Sequence, residues 1–497
     1  LANSDNNIQK FSGYKQFDFM QKLLWKPSVN QAHEINIQYS TTGNVPRYDR
    51  LTDTRNGALR WAEWYYGPQD RCMLAYSYRN YPIQGFFNDI LVGINYQKIE
   101  ESRMQRAYQK LDKEHRIENV NVLGYNIDLR KKIKLHEINI GTDAQLNFLK
   151  STAFKENIVS HVRDNKLDTR YPDGKNTMSN FGIYYQYLYK IIPNALILNH
   201  GLRLSYSNLH STFIDTSILH LPFTVASQQN INITGNAGLV YLSSYGTKWS
   251  MSLSSGFRSP NFDDMAKVFE SAGGTQVVVP NPNLKPERTY NISLGFQQKL
   301  FNSINVEVNA YYTAMTNAIV LDKYIFNGKD SMLYAGVMTP VVASQNRNGA
   351  KILGFNASLS VALNQYLQFY TYCNYTYGRY KEEVTGNTLP LDHIPPFYGK
   401  TGIIFKAKKW RAEFNVLYNG WKHIGDYNPY GEDNQQYATV YGMPARTTFN
   451  FLSKYNFNKY AEMQLGVENI LDQNYRTFAS GISGAGRNLV IKLKFNF

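Results

Sequence analysis

The side chains of this chain most able to do chemistry are nine histidines, a few adjacent carboxylates and two cysteines, and their spacing arranges none of them for catalysis. Imidazole can ligate a metal or exchange a proton near neutral pH. His161, His210, His220 and His423 fall in stretches that read as long loops, and His115 and His393 also read as loop residues. His33, His136 and His200 fall on the outer face of alternating segments. Adjacent carboxylates such as Asp263-Asp264 and Glu382-Glu383 could coordinate calcium, although such loop pairs are ordinarily just solvated. No nucleophile elbow, phosphate loop or CxxC metal pair occurs in the sequence. The expectation is a protein with no enzymatic activity, no metal site and no permanently bound cofactor.

What must position these residues is a set of strands. The chain ends GRNLVIKLKFNF, where Leu489, Ile491, Leu493, Phe495 and Phe497 alternate with Lys492, Lys494 and Asn496. Period two marks a strand with one apolar and one polar face. Reading on the same basis gives strands at about 13–26, 32–42, 70–80, 86–98, 119–130, 134–148, 178–190, 195–207, 231–243 and 248–258. The series continues at about 287–300, 303–316, 349–363, 366–380, 398–408, 409–420, 446–457, 460–470 and 486–497, about 19 strands in all. Short connections at Leu300–Ser303, Asn364–Gln365, Lys408–Lys409 and Asn458–Lys459 alternate with long ones at 208–230, 259–286, 317–348 and 421–445. That asymmetry belongs to an all-β, antiparallel transmembrane barrel with short turns in the periplasm and long loops outside.

Composition agrees. With 39 Tyr, 27 Phe and a mean hydropathy of −0.44, the chain is rich in strand-forming aromatics, and no run of about 18 apolar residues offers a membrane helix. Cys72, among Leu74 and Tyr76, and Cys373, among Phe369 and Tyr375, read as free, lipid-facing apolar groups and not as a disulfide. The net charge of +15 lacks the long Lys/Arg run or recognition helix of a nucleic-acid binder. It suits a polar lumen, lipopolysaccharide at the rim, or capture of anionic solutes.

The segment Gly256 to Arg288 carries Phe257-Arg258-Ser259-Pro260, a long loop, and then Asn281-Pro282-Asn283-Leu284 followed by Lys285-Pro286-Glu287. These boxes, with Val467 to Tyr475 and Gly486-Arg487-Asn488 near the end, resemble those of the TonB-dependent outer-membrane receptors. Strand parity points Arg258 and Glu287 into the lumen, where an ion pair would fasten the loop base. The resemblance implies a bacterial outer-membrane barrel that captures a scarce ligand outside and imports it with energy from the TonB complex. It also makes Phe497 the terminal aromatic of the assembly signal read by the barrel-assembly machinery.

Barrels of this kind have an even strand count, and large plugged transporters have 22. An odd count that begins on a downward strand leads to the expectation that residues 1–497 are strands four to twenty-two. A plug domain, a TonB-contact motif and three strands would then lie upstream of Leu1.

A second stretch, Pro46 to Thr52 followed by Ala62 to Gln69, is similar to the corresponding loop in haem and haemoglobin receptors of the family. It makes Tyr48, Trp64 and Tyr65 candidate ligand contacts, although the same aromatics would also serve as an interface girdle. Family members that bind haem often hold its iron through a loop histidine between the two boxes. Residues 261–280 contain none. His161, His210, His220 and His423 are therefore the candidate ligand-binding histidines, and His393, before Ile394-Pro395-Pro396, reads as structural. The expected ligand is haem, a haemoprotein or another iron complex, with a ferric siderophore or cobalamin as alternatives and a passive porin or adhesin as the rival class. Expected partners are the TonB complex through the upstream region, outer-membrane lipid and lipopolysaccharide, and a surface lipoprotein or haemoprotein, with no nucleic acid.

Overall fold

A computed structural model of the chain describes residues 8–55, 57–83, 85–215, 221–267, 269–270, 276–334, 337–382 and 386–496. Long strands follow one another as a meander: β1 (Gln16–Ser28), β2 (Gln31–Thr42), β3 (Asp70–Asn80), β4 (Asp89–Ala107), β5 (Asp112–Ile133), β6 (His136–Asn157), β7 (Asn176–Ile192), β8 (Leu196–Thr212), β9 (Val225–Leu242) and β10 (Thr247–Arg258). Beyond the first box come β11 (Glu287–Leu300), β12 (Ile304–Thr316), β13 (Ala350–Ala362), β14 (Leu367–Lys381), β15 (Tyr398–Lys406), β16 (Trp410–Asn419), β17 (Arg446–Asn456), β18 (Ala461–Glu468) and β19 (Asn488–Phe495). Among the described residues one sheet contains 23 strands, four of them short pieces within the long connections (Val45–Pro46, Trp61–Tyr66, Arg163–Asp164 and Thr388–Pro390), which leaves the expected 19. Each long strand pairs antiparallel with the next, while β1 pairs only with β2 and β19 only with β18 among the described residues.

The alternation that defines these strands turns a soluble protein's logic inside out. Ile231 and Ile233 of β9 are 69% and 67% exposed, and Leu202 and Leu204 of β8 share that outward face. Apolar side chains pointing outward in every strand form a band suited to hydrocarbon. Cys72 lies on the same outward face as the exposed Leu74 and Tyr76. In the three-residue turn between β11 and β12, Phe301 and Asn302 sit at φ 50° and 55°, both in the left-handed region.

Buried apolar packing lies instead at the long-loop end. Leu209, Phe213, Ala226, Met265, Ala266 and Leu284 form one cluster, and Val277, Val279, Phe326, Val341 and Ala343 another. The second is the core of a small sheet that the alternation analysis did not anticipate, in which Val337–Arg347 pairs with Val277–Val278, Ala318–Lys323 and Ser331–Tyr334. A buried ion pair ties this sheet, Arg347 to Asp322 at 2.8 Å, with side chains 8% and 3% exposed.

Five strands, β4, β5, β6, β8 and β9, outrun their expected ends. The ladder between β4 and β5 continues from Asp89↔Arg130 to Arg106↔Lys113, and β6 runs to Asn157. Above the lipid band both faces become polar, as in Glu100-Glu101-Ser102-Arg103, so the period-two signal fades while backbone pairing continues. The consequence is a correction: His115 and His210 are strand residues, on β5 and β8, and not loop residues.

Candidate ligand-binding site

The stretch from Pro46 to Gln69 does not lie at the lipid interface as a girdle would. It folds inward, with α1 (Tyr48–Leu51) followed by the strand Trp61–Tyr66, which pairs with β4 so that Trp64 lies opposite Gln105. Trp64 is 7% exposed, and three guanidinium groups surround its ring, Arg47 at 5.6 Å and Arg50 and Arg103 at 5.5 Å. Tyr66 stands edge-on to Trp64 at 5.1 Å and receives Arg103 at 5.4 Å. Electron-rich ring faces let several cations crowd together that water would otherwise have to separate.

These cations are not equivalent. Arg47 is fully engaged, donating to both Asp49 oxygens at 2.8 and 2.6 Å and to the Tyr66 hydroxyl at 3.1 Å. Burial would raise the Asp49 carboxyl, but the hydrogen bonds and charge of Arg47 outweigh it and hold Asp49 below its usual range. Arg50, Arg103 and Arg170 each keep a buried Nε with no hydrogen-bond partner. Burial first, and then the neighbouring charge of Arg170, draws Arg103 below the ordinary guanidinium range. Arg170 and Lys267 share Asp263, at 3.6 and 3.5 Å, and Lys267 also lies 3.6 Å from Glu432.

Together Arg47, Arg50, Arg103, Arg170 and Lys267 line a cavity of about 680 Å³, in which Glu432 is the lone acidic lining residue among the described residues. Its far wall comes from Gln276, Leu321 and the segment Asn428 to Gln436. A volume of that order admits a drug-sized molecule. Guanidinium donors left unspent in a low-dielectric wall favour a ligand with delocalised negative charge, and the flanking rings favour one with flat faces.

Of the residues singled out in the sequence, Trp64 lines this cavity, while Tyr48 and Tyr65 brace it. The Tyr48 hydroxyl accepts from the Ser483 amide at 2.7 Å, and the Lys113 ammonium donates to the Tyr65 hydroxyl at 3.4 Å. The histidines are not brought together. His161 is 76% exposed in a tight turn, 3.4 Å from Glu156. His210 shares the outward parity of Leu202, Leu204 and Tyr206, facing away from the lumen. His423 is exposed and stacks on Trp421 at 6.0 Å. His220 and Phe497 lie outside the described residues.

The two boxes prove to be anchors. Arg258 and Glu287 face each other across the ladder at 3.6 Å, but the tighter partner of Arg258 is Asp264, at 2.6 Å. Asp264 also accepts from the Asn261 amide in the capping box of α2 (Phe262–Met265), so the Asp263-Asp264 pair is engaged on both members and not merely solvated. Ser259 bonds Ser207 at 2.6 Å and Pro260 is fully buried. Asn281 donates to the Ser344 carbonyl at 2.8 Å and accepts from Asn283, and Leu284 packs on Met265. Phe257 lies opposite Arg288 in the ladder, and Pro282 sits between Asn281 and Asn283 in that anchored turn.

A second polar cluster welds two further loops. Asp433 is buried, accepting from the amides of His393 and Asn428 at 2.8 Å each. Asp392 accepts from the Glu432 amide at 2.8 Å, and burial, reinforced by the charge of Asp433, pushes its carboxyl up to about 8.

Arg103, Arg170 and Lys267 escaped sequence analysis because nothing local marks them; they converge from strands and loops far apart in the chain. Only the excess of positive charge hinted at them.

The sequence model of a family described as TonB dependent receptor-like, beta-barrel, matches residues 2–470. A probable hemoglobin and hemoglobin-haptoglobin-binding protein 4 of Haemophilus influenzae is 26% identical over 242 residues, which is 46% of this chain and 24% of that protein. The match therefore spans about a quarter of the relative's length. Among solved structures, the copper transporter OprC superposes with a TM-score of 0.79 at 15% identity, covering 97% of this chain and 72% of that one. The siderophore receptor PirA of Acinetobacter baumannii gives 0.68 at 16%, covering 97% and 71%, and the ferric enterobactin receptor PfeA of Pseudomonas aeruginosa 0.67 at 13%, covering 99% and 72%. At these identities the solved structures establish a shared fold.

Proposed function

The chain belongs to the TonB-dependent receptor-like β-barrel family of bacterial outer-membrane proteins, and on that footing we propose that it captures an anionic iron complex and passes it inward. The observation that carries this reading is the cavity walled by Arg47, Arg50, Arg103, Arg170 and Lys267 around Trp64. Energy for import is proposed to come from the TonB complex, as family membership implies. The family is one of receptors and transporters, and a transport role needs no chemical step on the ligand.

The sequence placed haem or a haemoprotein first, and the relative from Haemophilus influenzae is named for binding haemoglobin. The cavity supports recognition by charge and stacking, through haem propionates or the oxygens of a ferric chelate, and among the described residues its lining holds no histidine. A ferric siderophore is the second reading, favoured by the unspent guanidinium donors of Arg103 and Arg170. The test is growth of an iron-starved strain carrying or lacking the gene, supplied with haemin, haemoglobin or a ferric tris-catecholate. Gene-dependent growth on one of these is expected. Gene-dependent growth on cobalamin alone, or on none of them, would overturn the reading.

A further inference from the structure

The barrel's other end carries charge of a different kind. At the periplasmic end of β5, Lys131 and Lys132 close the strand and Lys134 opens the turn to β6, around Ile133, which is 52% exposed. Lys131 donates to the Gly85 carbonyl at 2.8 Å and its ammonium stands 6.0 Å from the ring of Phe86, itself 80% exposed. In the turn from β15 to β16, Lys406, Lys408 and Lys409 flank Trp410, whose ring lies 5.3 Å from Phe405 and whose Nε1 donates to the Ser453 hydroxyl at 2.8 Å. Among the described residues none of these six lysines is ion-paired: Lys406 reaches only the Gln368 amide oxygen at 2.8 Å and Lys409 only the Phe457 carbonyl at 3.5 Å.

Exposed rings at the lower border of the apolar band fix the depth of the barrel at the headgroup layer. Lysines one or two residues beyond them then fall at the level of the lipid phosphates, with flexible stems that let the ammonium reach sideways. The short turns face the periplasm, so the leaflet they meet is the phospholipid one. Ammonium groups without an ion-pair partner have little reason to be so concentrated for stability alone, whereas a phosphodiester offers each one a counter-charge.

We propose that these two basic and aromatic patches bind the headgroups of anionic phospholipids in the periplasm-facing leaflet. The occupant is a lipid and not a soluble acidic polymer because each patch includes an exposed ring at the border of the apolar band, Phe86 beneath the Lys131 ammonium and Trp410 next to Lys409 in the chain.

The experiment is native mass spectrometry of the detergent-purified protein offered equal amounts of phosphatidylglycerol and phosphatidylcholine, with poly-glutamate as a soluble competitor. Wild type is expected to retain phosphatidylglycerol in about tenfold preference. The triple variants Lys131→Gln, Lys132→Gln, Lys134→Gln and Lys406→Gln, Lys408→Gln, Lys409→Gln should each lose most of that preference, while Lys110→Gln, in a turn at the opposite end, should keep it. If a triple variant fails to assemble, a salt series on wild type replaces it: the rise in thermal midpoint given by phosphatidylglycerol should vanish at about 0.5 M salt, where screening is strong. Equal retention of the two lipids, triple variants indistinguishable from wild type, or poly-glutamate binding in place of lipid would overturn the proposal.

Discussion

At its long-loop end the barrel holds arginines that are buried, stacked on Trp64 and partly matched by Asp49 and Asp263. At its short-turn end it holds lysines that, Lys131 apart, are exposed, and that are unmatched by any described carboxylate. Both ends are positive, but they can do different things with an anion. A buried guanidinium fork is held in place before the ligand arrives, so little entropy is lost on binding and geometry can discriminate. A solvated ammonium on a free stem discriminates by charge and location alone. One end is built to recognise, the other to adhere.

The sharpest way to break that contrast is to remove a buried cation and an exposed one and compare. Arg347→Ala leaves the buried Asp322 carboxylate without its cation, and should destabilise the small loop sheet by about 3–5 kcal/mol, seen as lost hydrogen-exchange protection across Ala318–Lys323. Lys132→Ala, in detergent without anionic lipid, should change stability by no more than about 0.5 kcal/mol. Comparable losses at both ends would dissolve the distinction.

Next in size is Trp64→Ala. It removes the ring that lets Arg47, Arg50 and Arg103 stand together, and affinity for haemin or a ferric tris-catecholate should fall roughly tenfold or more, as loss of cation–π support predicts. Isothermal titration of wild type and variant checks it.

A smaller effect concerns pH at the rim of the same cavity. Asp392 is pushed up to about 8 when folded. A carboxyl with a raised folded value stabilises the protonated, folded loop at low pH, and this contribution is lost progressively as pH rises from the unfolded value of about 4 towards 8. Asp392→Asn keeps an oxygen for the Glu432 amide without the charge. Protection factors for the amides of Asn428 and Glu432, corrected for intrinsic exchange, should rise in this variant at pH 8 and stay unchanged at pH 4. A rise at both would trace the effect to something other than charge.

Smallest of all should be the histidines. His161→Ala, His210→Ala and His423→Ala are each expected to shift ligand affinity by less than about threefold, because His161 is solvated, His210 points out of the barrel and His423 stacks on Trp421 away from the cavity lining.

Strands were legible wherever one face met lipid, because period two then has a physical cause; Leu202 to Tyr206 and Leu489 to Phe495 are of that kind. Where β4 and β5 climb out of the lipid, Glu101 to Arg106 lose that cause, and the ladder could not be seen. The boxes were legible as motifs but not as machinery: parity pointed Arg258 at Glu287, yet the nearer partner, Asp264, is set by a helix cap that only the folded loop forms. Trp64 was found through a resemblance. Its companions Arg103 and Arg170 were not, since a site assembled from distant loops leaves no spacing in the sequence.

On the proposed function, this cavity holds its ligand by charge. The most direct measurement is the affinity of wild type and of Arg103→Gln, Arg170→Gln for haemin and a ferric tris-catecholate at low and high salt. Two lost charge-assisted contacts should weaken the preferred complex by about a hundredfold at low salt and flatten its salt dependence. An affinity that survives both substitutions but is abolished by His161→Ala or His423→Ala would show that an imidazole, and not these guanidinium groups, holds the ligand.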